Sequence, residues 1–279
     1  MRSNRSAQTP TVPAKISGLI RHSVGLVLAA LTSAFAGCGS ATDRTLEETV
    51  EKVYRIDPIA NITISNENGA IFVYGSTRNE MRVEAVKKAY SRERLKQLVI
   101  NFAVQRSGVS ISTISPAKSK SFFSDRSGTV DYTIVVPATA NISKVTLNTG
   151  ELLVDGMRGE TVEARLGSGR IFAHNCFSNI AFTLGTGTIT LAYEWWEKRR
   201  FWIQANIGEG NARTLLPADA ACHLIAETGH GKIGVDFEQF AGRGSKETRK
   251  LDTVLGGGGE ARITIRAQSG NIAFAETSP

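Results

Sequence analysis

All three tryptophans of this 279-residue chain fall within the segment Glu194-Trp195-Trp196-Glu197-Lys198-Arg199-Arg200-Phe201-Trp202, interleaved with cations. Indole rings beside guanidinium groups are enriched at binding hot spots, because a large apolar ring and a charged fork together hold a partner in place. Continuing the period-two alternation from Ile189 and Leu191 turns Tyr193 and Trp195 inward and leaves Trp196 outward; by the same rule Trp202 opposes Phe201 and Ile203. Trp196, Lys198, Arg199, Arg200 and Trp202 are therefore the candidate contact residues for a glycan or protein partner. The competing reading is structural: the lengthened repeat bulges here and packs its aromatics over the core edge.

Other chemistry-bearing residues give less. His174, Cys176, Cys222, His223 and His230 are metal-ligand types, but zinc needs three or four ligands converging at about 2.0–2.3 Å. His223 alternates with Cys222, so the two face opposite ways, and the expectation is no metal and no cofactor. Gly229-His230-Gly231-Lys232-Ile233-Gly234 matches the dinucleotide fingerprint, which works only where a strand feeds a helix; Val235-Asp236-Phe237 reads on as strand. No Gly-x-Ser-x-Gly elbow occurs. Asp155, Glu163 and Asp236 are too far apart in sequence to be placed in one cleft as a glycosidase pair. The chain reads as a non-enzyme, a polysaccharide-acting β-helix enzyme remaining the least favoured alternative.

The elements that must carry these residues are repeats. RLGSGRIF at 165–172, TLGTGTIT at 183–190, NIGEGNAR at 206–213 and ETGHGKIG at 227–234 each set a Gly-x-Gly between two alternating apolar runs. Looser copies lie at 64–71, 147–154 and 266–273. Counted on the second glycine, Gly150, Gly169, Gly187, Gly210 and Gly231 are separated by 19, 18, 23 and 21 residues, followed by 39 to Gly270. A period near 20 predicts an all-β solenoid, a β-helix-like stack of short strands with Gly-x-Gly turns. Val162, Ala164 and Leu166 before a turn, and Ile171 and Ala173 after it, would share one interior. The alternative is an antiparallel sandwich with each Gly-x-Gly as a hairpin tip. Equivalent residues lie above one another only in the solenoid.

Upstream the strands are less regular: Ile62–Ile64, Ile71–Val73, Met81–Val86, Leu98–Val104, Val109–Ile114 and Tyr132–Val136, with one short helix over Ser91–Gln97. Ser115–Gly128 and Glu238–Gly259 read as loops. Cys176 and Cys222 read as buried apolar groups and not as a disulfide.

The first 37 residues read as a signal peptide: Arg2, Arg5, Lys15 and Arg21 precede the apolar run Val24–Ala36, with no acidic residue before Asp43. The run is short for a membrane span, which needs about 20 apolar residues. Ala36-Gly37-Cys38 resembles the lipobox of bacterial lipoproteins, although Phe35 stands where Leu, Val or Ile is usual. That resemblance implies cleavage before Cys38, acylation of its thiol, and a tether over 38–57 leading to a domain at 58–275. Two or three acyl chains anchor stably. Gly39 is not the aspartate of inner-membrane retention, which favours the outer membrane. The rival cut after Ala34-Phe35-Ala36 would release a periplasmic or secreted protein. The formal charge of +7 loses its four positives with the signal and falls to +3. Without a basic patch on one face, nucleic acid is not an expected partner.

The repeats, together with Tyr132-Thr133-Ile134-Val135-Val136-Pro137 and the late LGGGGEARITIRAQSGNIAF at 255–274, resemble the putative-adhesin family of bacterial envelope proteins. The resemblance covers roughly 58–275 and implies a lipid-anchored β-repeat surface for adhesion or scaffolding, with no catalytic residues to carry over. Envelope sensing through a protein partner fits the same features.

Overall fold

The structure, a computed structural model, describes residues 45–115, 128–237 and 248–277. The signal peptide, Cys38 and nearly all of the 115–128 loop lie outside the described residues.

Among the described residues, fifteen strands and one short helix follow in order. The first part comprises β1 (Leu46–Arg55), β2 (Asn61–Ser76), β3 (Glu80–Ala89), α1 (Arg92–Gln97), β4 (Val99–Gln105), β5 (Gly108–Ile114) and β6 (Thr129–Pro137). The repeats form β7 (Asn141–Asp155), β8 (Thr161–His174), β9 (Asn179–Ala192) and β10 (Trp202–Leu216). Last come β11 (Cys222–His230), β12 (Ile233–Asp236), β13 (Lys250–Leu255), β14 (Ala261–Ser269) and β15 (Ile272–Glu276). The fold is nearly all-β and built on one large sheet that does not close into a barrel.

Each Gly-x-Gly lies inside or beside a strand and no hairpin forms there. β2, β7, β8, β9 and β10 pair side by side in parallel, with Gly69 opposite Gly150, Gly150 opposite Gly169, Gly169 opposite Gly187, and Gly187 opposite Gly210. In β8 the buried residues are Val162, Ala164 and Leu166, then Ile171 and Ala173, so the parity changes across Gly167-Ser168-Gly169. A straight strand would send Ile171 to the outside. The glycines, of which Gly169 has φ +135°, crease the strand so that both arms turn their apolar side chains to one interior.

The interior is built in rows that cross the strands. Ile142, Val162 and Ile180 form one, Leu147, Leu166 and Leu184 another, and Leu152, Ile171 and Ile189 a third. All are buried. Fully burying one such side chain stabilises by roughly 1.5–3 kcal/mol.

Four features differ from the sequence reading. The stack does not follow chain order: β14 and β15 insert between β10 on one side and β11 and β12 on the other. The 39-residue gap is the signature of that detour. The N-terminal region is part of the same ladder, since β2 pairs with β7 along both of its arms. Part of the proposed tether is strand: β1 runs antiparallel to β3, and its acids meet lysines, Glu48 on Lys87 at 2.5 Å and Glu47 on Lys88 at 3.7 Å. Its half-buried positions, Leu46, Val50 and Tyr54, recur every four residues and Val53 faces out, which hides the strand from a period-two reading. Finally, β13 lies within the segment read as the loop 238–259 and pairs antiparallel to β11.

The predicted helix is present as α1, with the Ser91 hydroxyl accepting a hydrogen bond from the Arg94 backbone N–H at 3.2 Å.

Candidate aromatic and basic contact site

The chain leaves β9 at Ala192 and enters β10 at Trp202, and the residues between are not strand. Strand parity therefore stops at Tyr193, and this corrects the orientation expected for two tryptophans. Tyr193 does point inward; its hydroxyl donates to the Cys176 carbonyl at 2.7 Å and its backbone N–H to Leu215 O at 3.0 Å. Trp196 follows it and packs against the core, its ring centroid 5.6 Å from Tyr193 and 5.5 Å from Phe201. Trp195 points out and is 44% exposed. Trp202 is 42% exposed, as the alternation predicts, and Phe201 is buried.

Trp196 is thus an anchor, and the outward indole is Trp195. The outward ring is nevertheless held. Its Nε1–H donates to Glu197 Oε1 at 3.4 Å, and its centroid lies 6.3 Å from Phe177. Glu197 Oε1 also accepts from Arg158 Nε at 3.0 Å and Nη2 at 2.7 Å. The Arg158 guanidinium sits 5.5 Å from the Phe177 ring centroid, a cation–π distance, and Arg158 Nη1 donates to the Gly156 carbonyl at 3.1 Å. Trp195 is therefore fixed through Glu197 to a residue two turns earlier.

Lys198, Arg199 and Arg200 follow on this ridge, all exposed. Arg199 Nη1 lies 3.9 Å from Glu197 Oε2, beyond hydrogen-bonding reach. Among the described residues, Lys198 and Arg200 make no ion pair. Two clefts flank the ridge. One, of about 440 Å³, lies between Trp196, Lys198 and Arg199 on one side and Asp219, Glu260 and the Gly256–Gly259 turn on the other. The second, of about 280 Å³, is lined by Arg158, Glu160, Asn179, Arg199, Arg200 and Phe201. Arg199 borders both.

Sequence reasoning missed Trp195, Glu197 and Arg158. A signal was present: Arg158, Phe177 and Glu197 are about one repeat apart, so they occupy successive turns of the stack.

The remaining candidates are dispersed. His174 Nδ1 is 2.9 Å from Asp155 Oδ1 and its Nε2 is 3.5 Å from Glu194 Oε1, while His223 pairs with Asp252 at 2.5 Å on the neighbouring strand. Among the described residues no group of His, Cys, Asp and Glu is arranged to hold a metal ion. Both described cysteines are free and buried, and burial pushes each thiol up to about 12. The glycine fingerprint around His230 leads from β11 directly into strand β12 and not into a helix. No helix among the described residues is long and apolar enough to cross a membrane.

No family model matches this chain, and no curated protein matches it. Solved structures do resemble it. A "putative cell adhesion protein" from Clostridium sporogenes is 16% identical, with a TM-score of 0.48, over 82% of this chain and all of that one. A "putative adhesin" from Bacteroides fragilis is 12% identical, with a TM-score of 0.35, over 81% of this chain and 97% of that one. A "putative lipid binding protein" from Parabacteroides distasonis is 12% identical, with a TM-score of 0.32, over 81% of this chain and 96% of that one.

Proposed function

We propose that this chain is a non-enzymatic lipoprotein of the bacterial cell envelope, anchored through an acylated Cys38, whose stacked strands act as a β-solenoid scaffold presenting an adhesive contact surface. The reading is carried by one observation: Trp195 and Trp202 stand out beside Lys198, Arg199 and Arg200 on a ridge fixed by Arg158 and Glu197. Exposed indoles are costly to leave in water without a partner, and a ring already held loses little entropy on binding. The in-register glycine column supplies the rigidity that such a surface needs.

The test is binding to envelope glycans and to intact cells. Changing Trp195 and Trp202 together to Ala is expected to lower binding at least tenfold, with an unchanged melting curve. Binding that survives both changes would remove the ridge as the contact surface. Anchoring is tested separately: Cys38→Ala abolishes acyl labelling and moves the protein from the membrane to the soluble fraction.

A further inference from the structure

Building on the proposed adhesive reading, we infer that the cleft beside Arg199 and Arg200 is an anion-binding subsite that takes the carboxylate of an acidic glycan, with Trp202 and Trp195 flanking it as stacking faces. Charge and geometry carry the assignment. Three arginines, Arg158, Arg199 and Arg200, line the cleft, against one lining carboxylate, Glu160, with Glu197 beside Arg158 and Arg199. Guanidinium groups sharing one wall repel each other unless an anion lies between them. Arg158 is already neutralised by Glu197, whose Oε1 accepts two of its hydrogen bonds. That leaves Arg199, with only a 3.9 Å approach to Glu197 Oε2, and Arg200, with no ion pair among the described residues. Two planar forks with open donors fit an oxyanion, which can accept from both at once.

The surroundings select what carries the anion. Phe201 lines the cleft and is buried; next to it Trp202 is exposed, its backbone N–H held by Asn179 Oδ1 at 3.2 Å. A volume of about 280 Å³ lies just below the range of small-ligand pockets, so one ring of a chain fits the cleft while its neighbours run out over the ridge. Alternating charged groups and flat apolar ring faces are the chemistry of a polyuronate. A phosphate or sulfate shares the charge but brings no face for the indoles.

The experiment is calorimetric titration of the full-length chain, in neutral detergent, with a galacturonic acid trisaccharide, the matching galactose trisaccharide and inorganic phosphate. Vesicles of phosphatidylglycerol and of phosphatidylcholine are tested by flotation with the Cys38→Ala chain and without detergent, so that no acyl chain binds the bilayer. The expected result is binding of the uronate trisaccharide, weakened about tenfold or more by R199Q/R200Q and by high salt, with the neutral sugar bound at least tenfold more weakly. R213Q, on an exposed position of β10, should leave the uronate affinity unchanged and controls for net charge. Equal binding of the two sugars, or an unchanged affinity in R199Q/R200Q, overturns the anion subsite and leaves the adhesive ridge standing. So does capture by phosphatidylglycerol vesicles or phosphate without uronate binding, which would assign the arginines to a headgroup or free anion. Failure to bind any glycan or any cell would overturn the adhesive reading itself.

Discussion

Gly187 sits directly against Gly169: a Cβ built on Gly187 would fall well inside contact distance of the Gly169 carbonyl oxygen. The same approach recurs up the ladder, ending with Gly270 on Gly210 and Gly231 on Gly270. At φ +139° Gly187 also occupies backbone space that L-residues avoid. Gly187→Ala therefore meets a steric and a torsional penalty together and should cost about 2–4 kcal/mol, read from denaturant midpoints at unchanged m-value. An unaffected midpoint would mean that the crease does not depend on the glycine.

Thr214 offers the opposite sign. It lies in β10 between Leu191 of β9 and Phe274 of β15, fully buried, and its hydroxyl finds no hydrogen-bond partner among the described residues. A buried hydroxyl without a partner carries a desolvation penalty that a methyl group of the same shape avoids. Thr214→Val is expected to stabilise by about 1 kcal/mol in equilibrium unfolding. Destabilisation would show that the hydroxyl is satisfied after all.

The Arg158–Glu197 pair is about two-thirds covered, with side chains 32% and 30% exposed. Solvent still screens it, so a double-mutant cycle of Arg158→Gln and Glu197→Gln should return a coupling of only about 0.5–1 kcal/mol. Its larger effect is positional. Either single change should weaken ligand binding through Trp195 more than it weakens the fold, and equal losses in both would contradict that division.

Alkaline pH probes the interior. Burial raises the Cys176 and Cys222 thiols from 9.0 to about 12, and raises Tyr132 from 10.0 to about 12 and Tyr193 well above 10.0. Between the unfolded and folded values, the unfolded chain has released these protons and the native chain still holds them. Stability is therefore full below about pH 9 and declines as pH rises toward 12. Cys176→Ala with Cys222→Ala should delay the onset of that decline to about pH 10, where the tyrosines take over. At pH 7 neither thiol should react with a disulfide reagent until the chain is unfolded.

The ladder was legible because its cause is local. A crease needs glycine, and the row of Ile142, Val162 and Ile180 needs apolar residues at one phase of every repeat, so both leave a period in the sequence. What escaped depended on partners distant in the chain. The insertion of β14 beside β10 is decided by which edges meet, and β1 is recruited by Lys87 and Lys88 of β3, with no alternation of its own. At the contact site the residue types were readable, whereas the roles of Trp195 and Trp196 were exchanged. Once the strand ended at Ala192, orientation passed from backbone parity to the Arg158–Glu197 pair and the aromatic cluster around Phe177.

The detour at the end of the stack bears on how the molecule is made. β10 keeps an unpaired parallel edge until the last strands of the chain have been synthesised, because β11, which emerges first, has no place beside it until β14 is there. A nascent chain held at that stage displays a long bare edge of the kind that recruits foreign strands. Truncations that lose the final segment should therefore strand two elements at once, and such fragments should aggregate rather than persist as shortened repeats.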